Sequence, residues 1–92
     1  MRRAAKKDDN HKAIVADLER LGYVVFDVSA LSGLGFDIVV YKPPEPTLKA
    51  RWMPMEIKQP GHDRFDTGSE KRARARAPIP VVHSTAEALE YL

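Results

Sequence analysis

The stretch MPMEIKQPG, residues 53–61, gives a strand-like run a pair of opposite charges. Met53, Met55 and Ile57 are apolar, and Pro60 with Gly61 ends the run. Glu56 and Lys58 stand two apart, so on a strand both side chains leave the same face. A second acid, Asp37, heads the apolar run Ile38-Val39-Val40. Two carboxylates brought together repel and lose hydration unless a cation lies between them. Carboxylate oxygens are hard ligands, and a site with few protein ligands and several waters suits Mg²⁺ or Mn²⁺. Such an ion lowers the pKa of a bound water and stabilises charge on a phosphate. A neighbouring lysine orients or deprotonates the water, or offsets negative charge in the transition state. Asp37, Glu56 and Lys58 are therefore candidate catalytic residues, Asp37 and Glu56 are candidate metal ligands, and the chemistry is phosphodiester hydrolysis. The plainer reading is a Glu56–Lys58 ion pair on a half-exposed edge, with Asp37 as a turn residue.

These residues meet only if their strands pair. Residues 24–28, 36–41, 51–59 and 79–82 read as strands, rich in β-branched and aromatic residues. The second and third are consecutive and joined through Pro43-Pro44-Glu45-Pro46, which cannot be central strand. Antiparallel pairing sets the start of one beside the end of the other, so Asp37 converges on Glu56. Asp9 or Asn10 caps a first helix running to about Leu21, with Ile14, Val15, Leu18 and Leu21 on one face and Gly22 ending it. Thr67-Gly68-Ser69-Glu70 and Ser84-Thr85-Ala86-Glu87 match the capping-box pattern. They open helices over 70–77 and from Ser84 to Leu92. The order is α-β-β-β-α-β-α, an α/β fold with a mixed sheet flanked by helices. Ser32-Gly33-Leu34-Gly35 matches neither a phosphate-binding P-loop nor a dinucleotide fingerprint. Its glycines permit a turn that brings Asp37 into place.

Ninety-two residues make one domain, 1–92, with residues 1–8 as a loose basic arm. The absence of cysteine excludes disulfides and thiolate metal sites. The basic start has no apolar stretch behind it, and no run reaches a membrane-spanning length, so a soluble, cytoplasmic protein is expected. The net charge is only +2, but it is unevenly placed. Arg2, Arg3, Lys6 and Lys7 in the arm, and Lys71, Arg72, Arg74 and Arg76 in the helix EKRARARA, are candidate DNA contacts. Charge alone favours an ordinary solvated surface. His62 is a candidate local base or phosphate contact, with His11 and His83 weaker, and the three show no zinc-ligand spacing. Trp52 reads as an aromatic anchor in a core or dimer interface, with base stacking as the alternative.

With these residues in place the chain resembles the PD-(D/E)XK nuclease superfamily, and within it the small VRR-NUC type found in phages and bacteria. The resemblance rests on RRAAKKDDN, LGYVVFDVSALSGLGFDIVV, MEIK and VVHSTAEAL, in that order along nearly the whole chain. It implies a restriction-endonuclease-like core and Mg²⁺- or Mn²⁺-dependent DNA cleavage. Asp37 and Glu56 are then metal ligands together with the Ile57 backbone carbonyl, Lys58 is the catalytic lysine and Gln59 a further site residue. It also implies homodimers acting on branched DNA such as Holliday junctions. Three departures stand out. Where many relatives carry a first-helix Glu this chain has Asn10, His11 and Ala13, and Glu19 lies too far along the helix to substitute. The connection over 42–52 is long, and its Lys49, Arg51 and Trp52 can meet DNA or a second subunit. Residues 59–64 fill the place of a polar, basic loop. The first departure motivates the alternative of a non-catalytic nucleic-acid-binding module on the same fold.

Overall fold

The structure, a computed structural model, describes residues 9–31, 33–59 and 68–92. Its elements are α1 (Asp9–Arg20), β1 (Val24–Asp27), β2 (Ile38–Lys42), β3 (Arg51–Ile57), α2 (Gly68–Arg76), β4 (Val81–Val82) and α3 (Thr85–Leu89). Their order is the α-β-β-β-α-β-α read from the sequence. They form one four-stranded sheet in the order β1-β2-β3-β4. The first three strands are antiparallel, and β4 runs parallel to β3. The fold is thus α/β with a mixed sheet flanked by helices.

Helix α1 ends as its sequence dictates. Gly22 takes φ 101°, a left-handed conformation that a side chain resists. The Tyr23 N–H reaches the Leu18 carbonyl at 3.0 Å, and the Gly22 N–H reaches Glu19 at 3.1 Å. This pair of bonds satisfies the last carbonyls of the helix and turns the chain toward β1. Ile14 and Leu18 are buried as expected, but Leu21 is 58% exposed. It occupies the cap, where the chain leaves the helical path and the apolar stripe no longer faces the sheet.

Register fixes the two faces of the sheet. Val25, Val40 and Met53 align across β1, β2 and β3, as do Ile38 and Met55. With Ile57, Val82, Ile14 and Leu18 of α1 and Ala88 of α3, they build the core. Residues of opposite parity face the other way: Phe26 on β1, Val39 and Tyr41 on β2, and Trp52, Pro54 and Glu56 on β3. Helix α2 stands on this second face, where its Glu70 meets Lys58.

Several elements have other bounds than the sequence suggests: α2 begins earlier, at Gly68, and most others are shorter. β3 ends at Ile57, the last residue it pairs with β4, and β2 begins at Ile38 because its ladder with β3 stops at Ile38–Met55. Beyond that pair the Asp37 carboxylate, not a backbone carbonyl, accepts the Ile57 N–H. Helix α3 stops at Leu89, short of the expected Leu92. The N–H groups of Tyr91 and Leu92 bond three residues back, to Ala88 and Leu89, and tighten the last turn beyond an α-helix. Ser84 caps α3, accepting from the Glu87 N–H at 3.2 Å. Glu87 in turn reaches one residue past the cap and accepts from the His83 N–H at 2.8 Å. No described helix is long and apolar enough to cross a membrane. The arm, with Arg2, Arg3, Lys6 and Lys7, lies outside the described residues, as do Ser32 and residues 60–67 with His62 and Thr67.

Candidate active site

Asp37 and Glu56 lie one residue beyond the last β2–β3 pair, so antiparallel pairing brings them together. Asp37 is fixed by its backbone and its side chain. Its N–H donates to the Met55 carbonyl at 3.0 Å, and its carboxylate accepts from the Ile57 N–H at 2.8 Å. These two bonds straddle Glu56. The Asp37 carbonyl accepts from Val28 at 2.9 Å, which ties the site to the end of β1. Within a strand the N–H and C=O of one residue point to the same side, so the Ile57 carbonyl also faces the β2 edge that carries Asp37.

Glu56 and Lys58 share a face, as strand alternation requires. Lys58 Nζ lies 3.4 Å from Glu56 Oε2 and 2.9 Å from Glu70 Oε1. Glu56 is only 2% exposed. Asp37, Glu56 and Glu70 together line a polar cleft of about 260 Å³, floored in part by Gly35 and walled by Ser29 and Leu31. A larger cleft of about 480 Å³ lies beside Met53, Pro78 and Tyr91, but its lining holds no carboxylate.

Burial and crowding set the protonation of the cluster. Burial, a hydrogen bond to Glu70 and the charges of Asp37 and Glu70 push the Glu56 carboxyl up to about 8, against the pull of Lys58. Burial also raises Asp37, opposed chiefly by the hydrogen bond from Ile57. Burial alone would lower Lys58, but the hydrogen bonds and charges of Glu70 and Glu56 outweigh it and hold the ammonium above the ordinary lysine range. Negative charge is therefore in surplus: three carboxyl groups face one ammonium. Among the described residues no three His, Cys, Asp or Glu side chains are already gathered at metal-ligand spacing. Lys58 Nζ stands between Glu56 and Glu70.

Glu70 is a site residue that sequence reasoning missed. The capping-box pattern supplied a local reason for a glutamate at that position, and its carboxylate nevertheless reaches Lys58, twelve residues back. Gly35 makes this approach possible. It takes φ 86°, and a Cβ there would lie 2.2 Å from the Ser69 carbonyl oxygen and 2.8 Å from the Ala73 side chain. Asn10 is the second missed residue. In the first-helix region where an acidic residue was sought, its amide donates to the Lys58 carbonyl at 2.7 Å and to the His83 carbonyl at 3.3 Å. It binds backbone and positions the strand end that carries Lys58.

The remaining candidates fall as follows. Gln59 follows Lys58 at the end of β3 and is half-buried. Lys71, Arg72 and Arg76 are exposed on α2, whereas Arg74 is half-buried. His11 is buried, its Nε2 3.1 Å from Asp27 Oδ2 beneath the sheet. His83 is paired with Glu87 at 2.8 Å. Trp52 is no core anchor, being 60% exposed. Compared with family models, with curated proteins and with solved structures, the chain matches none.

Proposed function

We propose that this protein is a divalent-metal-dependent endodeoxyribonuclease with a restriction-endonuclease-like core of the small VRR-NUC type. We further propose that it acts as a homodimer on branched or structured DNA such as Holliday junctions. The observation that carries the reading is the meeting of Asp37 and Glu56 in one cleft with an excess of carboxylate, with Lys58 held against Glu56 and Glu70. The donor set fits a hard divalent cation: carboxylate oxygens from β2 and β3, with the Ile57 carbonyl on the same edge. The raised Glu56 and Asp37 support the fit, since a cation offsets the burial and neighbouring negative charge that disfavour their ionised forms.

When bound, Mg²⁺ or Mn²⁺ supplies Lewis acidity toward a phosphate and a water acidic enough to attack it. The chain's own residues do the rest. Asp37, pinned through its backbone and carboxylate, and Glu56, locked in the sheet, would hold the ion. Lys58 stays an ammonium near neutral pH, so it orients water and offsets charge on the phosphate rather than removing a proton. Glu70 holds the ammonium on α2, and Asn10 holds the backbone beneath it. The cationic face of α2 gathers phosphates without reading sequence.

The test is cleavage of labelled duplex, single-stranded, flap and four-way-junction DNA in Mg²⁺, Mn²⁺, Ca²⁺ or EDTA. Cutting is expected in Mg²⁺ or Mn²⁺ alone, with a loss of about 10²–10³-fold for Asp37→Ala and for Lys58→Ala. Intact cutting by either variant sinks the assignment. Binding without cutting under every ion points to the non-catalytic module, with Asn10 in place of an acidic first-helix residue as its structural reason.

A further inference from the structure

The outer face of the sheet carries three aromatic rings, one on each of three adjacent strands. Phe26 on β1 stacks against Trp52 on β3, with ring centres 5.7 Å apart and planes at 29°. Tyr41 on β2 tilts against the same Trp52 at 4.9 Å. Val24, Phe26 and Trp52 are 44%, 48% and 60% exposed. A solvated face of an antiparallel sheet is ordinarily polar. Here Val24, Phe26, Val39, Tyr41, Trp52 and Pro54 make it apolar as far as Glu56 at the end of β3.

We infer that this face is a stacking platform for the unpaired bases of single-stranded DNA, which it delivers to the carboxylate cleft. The inference rests on the nuclease reading and narrows its substrate, among branched and structured DNA, to forms with an unpaired strand such as a flap, rather than a fully paired junction. Three observations select this occupant. First, the exposed parts of Val24, Phe26 and Trp52 amount to about 300 Å², taking 150–250 Å² for a whole aromatic side chain. That is well short of the roughly 800 Å² a standard interface buries on each partner. It suffices for two or three stacked bases, each of which presents a π-face regardless of sequence. Second, Trp52 and Glu56 share one strand and one face, four residues apart. At about 3.3 Å per residue they lie about 13 Å apart, no more than about four nucleotides at the ~3.4 Å rise per nucleotide of a duplex strand. Third, α2 stands on the same face with Lys71, Arg72 and Arg76 exposed, a charge complement to the backbone of a strand crossing it.

The chain has a single tryptophan, so Trp52 reports on its own surroundings. The experiment titrates the full chain with an oligothymidylate of about ten nucleotides and with a duplex of equal length, in EDTA so that no strand is cut. Trp52 fluorescence is expected to be quenched by the single strand and much less by the duplex. Anisotropy of a labelled strand is expected to show a roughly tenfold loss of affinity in Trp52→Ala, with duplex affinity unchanged. Phe26→Ala keeps the reporter and is expected to weaken both quenching and single-strand affinity. Circular dichroism of both variants confirms that the fold is intact. Absent quenching, or equal quenching by duplex, overturns the inference. So does a mass that doubles with concentration in the wild type and not in Trp52→Ala, which would make a second copy the occupant. Cleavage is measured separately in Mg²⁺. Cutting without quenching leaves the nuclease and removes the platform, whereas quenching without cutting keeps the platform and removes the nuclease.

Discussion

Glu56 is built to be protonated in the absence of a cation, and this has a sign in stability. Its folded value of about 8 exceeds its ordinary 4.5. Between those values the folded chain binds more protons than the unfolded one, so stability falls as pH rises through the window and the penalty is complete above it. In EDTA, Glu56→Gln is expected to stabilise the protein on the order of 1 kcal/mol at pH 9, the lost Lys58 contact offsetting part of the gain. At pH 4 the advantage disappears. Urea unfolding of both proteins at the two pH values checks this, and a constant difference would show that folding leaves the Glu56 carboxyl at its ordinary value. The convergence of Asp37, Glu56 and Lys58 was legible in the sequence, because alternation along β3 and antiparallel pairing through a proline-rich connection place all three. Glu70 was not, because a capping-box glutamate already has a local explanation. Asn10 was not either: it works through the backbone of a residue 48 positions away, and no spacing rule reports such a contact.

At the scale of elements, the site depends on α2 lying close against the loop before β2. Gly35 both takes a left-handed φ and leaves no room for a Cβ against Ser69 and Ala73. Gly35→Ala combines backbone strain with a clash against helix backbone, and a loss of about 2–4 kcal/mol is expected. Moving α2 also withdraws Glu70 from Lys58, so cleavage should fall further than the folded fraction does. Gly22→Ala is the control. A Cβ at Gly22 meets nothing within 4 Å, so only its φ resists, and about 1 kcal/mol is expected with cleavage per folded molecule unchanged. If Gly35→Ala behaves like Gly22→Ala, α2 is not seated as described. Element order and the cap at Gly22 could be read from the chain because each has a local signal. Strand ends could not. The ladder between β2 and β3 ends where a side chain, Asp37, replaces a backbone acceptor, and β4 spans only Val81 and Val82 although Ile79 before it is buried.

At the scale of the molecule, the proposed binding of DNA has little long-range help from a net charge of +2 and is opposed by the carboxylate cleft. Two opposing terms then govern affinity, and they can be separated. On the proposed function, the exposed cations of α2 would act by releasing counterions from DNA. Lys71→Ala with Arg72→Ala is expected to weaken duplex and single strand alike and to lower the slope of log affinity against log salt by about two. An unchanged slope would assign that helix face to solvent. The cleft acts in the other direction. Ca²⁺, expected to occupy the site without supporting cleavage, replaces surplus negative charge with positive and should tighten DNA binding on the order of tenfold over EDTA. Asp37→Ala makes the sign decisive. Removing one carboxylate should raise affinity in EDTA, because the phosphate meets less repulsion, and should abolish the response to Ca²⁺, because a ligand is gone. A variant that weakens binding in EDTA would mean that Asp37 contacts DNA as a structural acceptor. One that keeps the Ca²⁺ response would mean that the ion sits elsewhere.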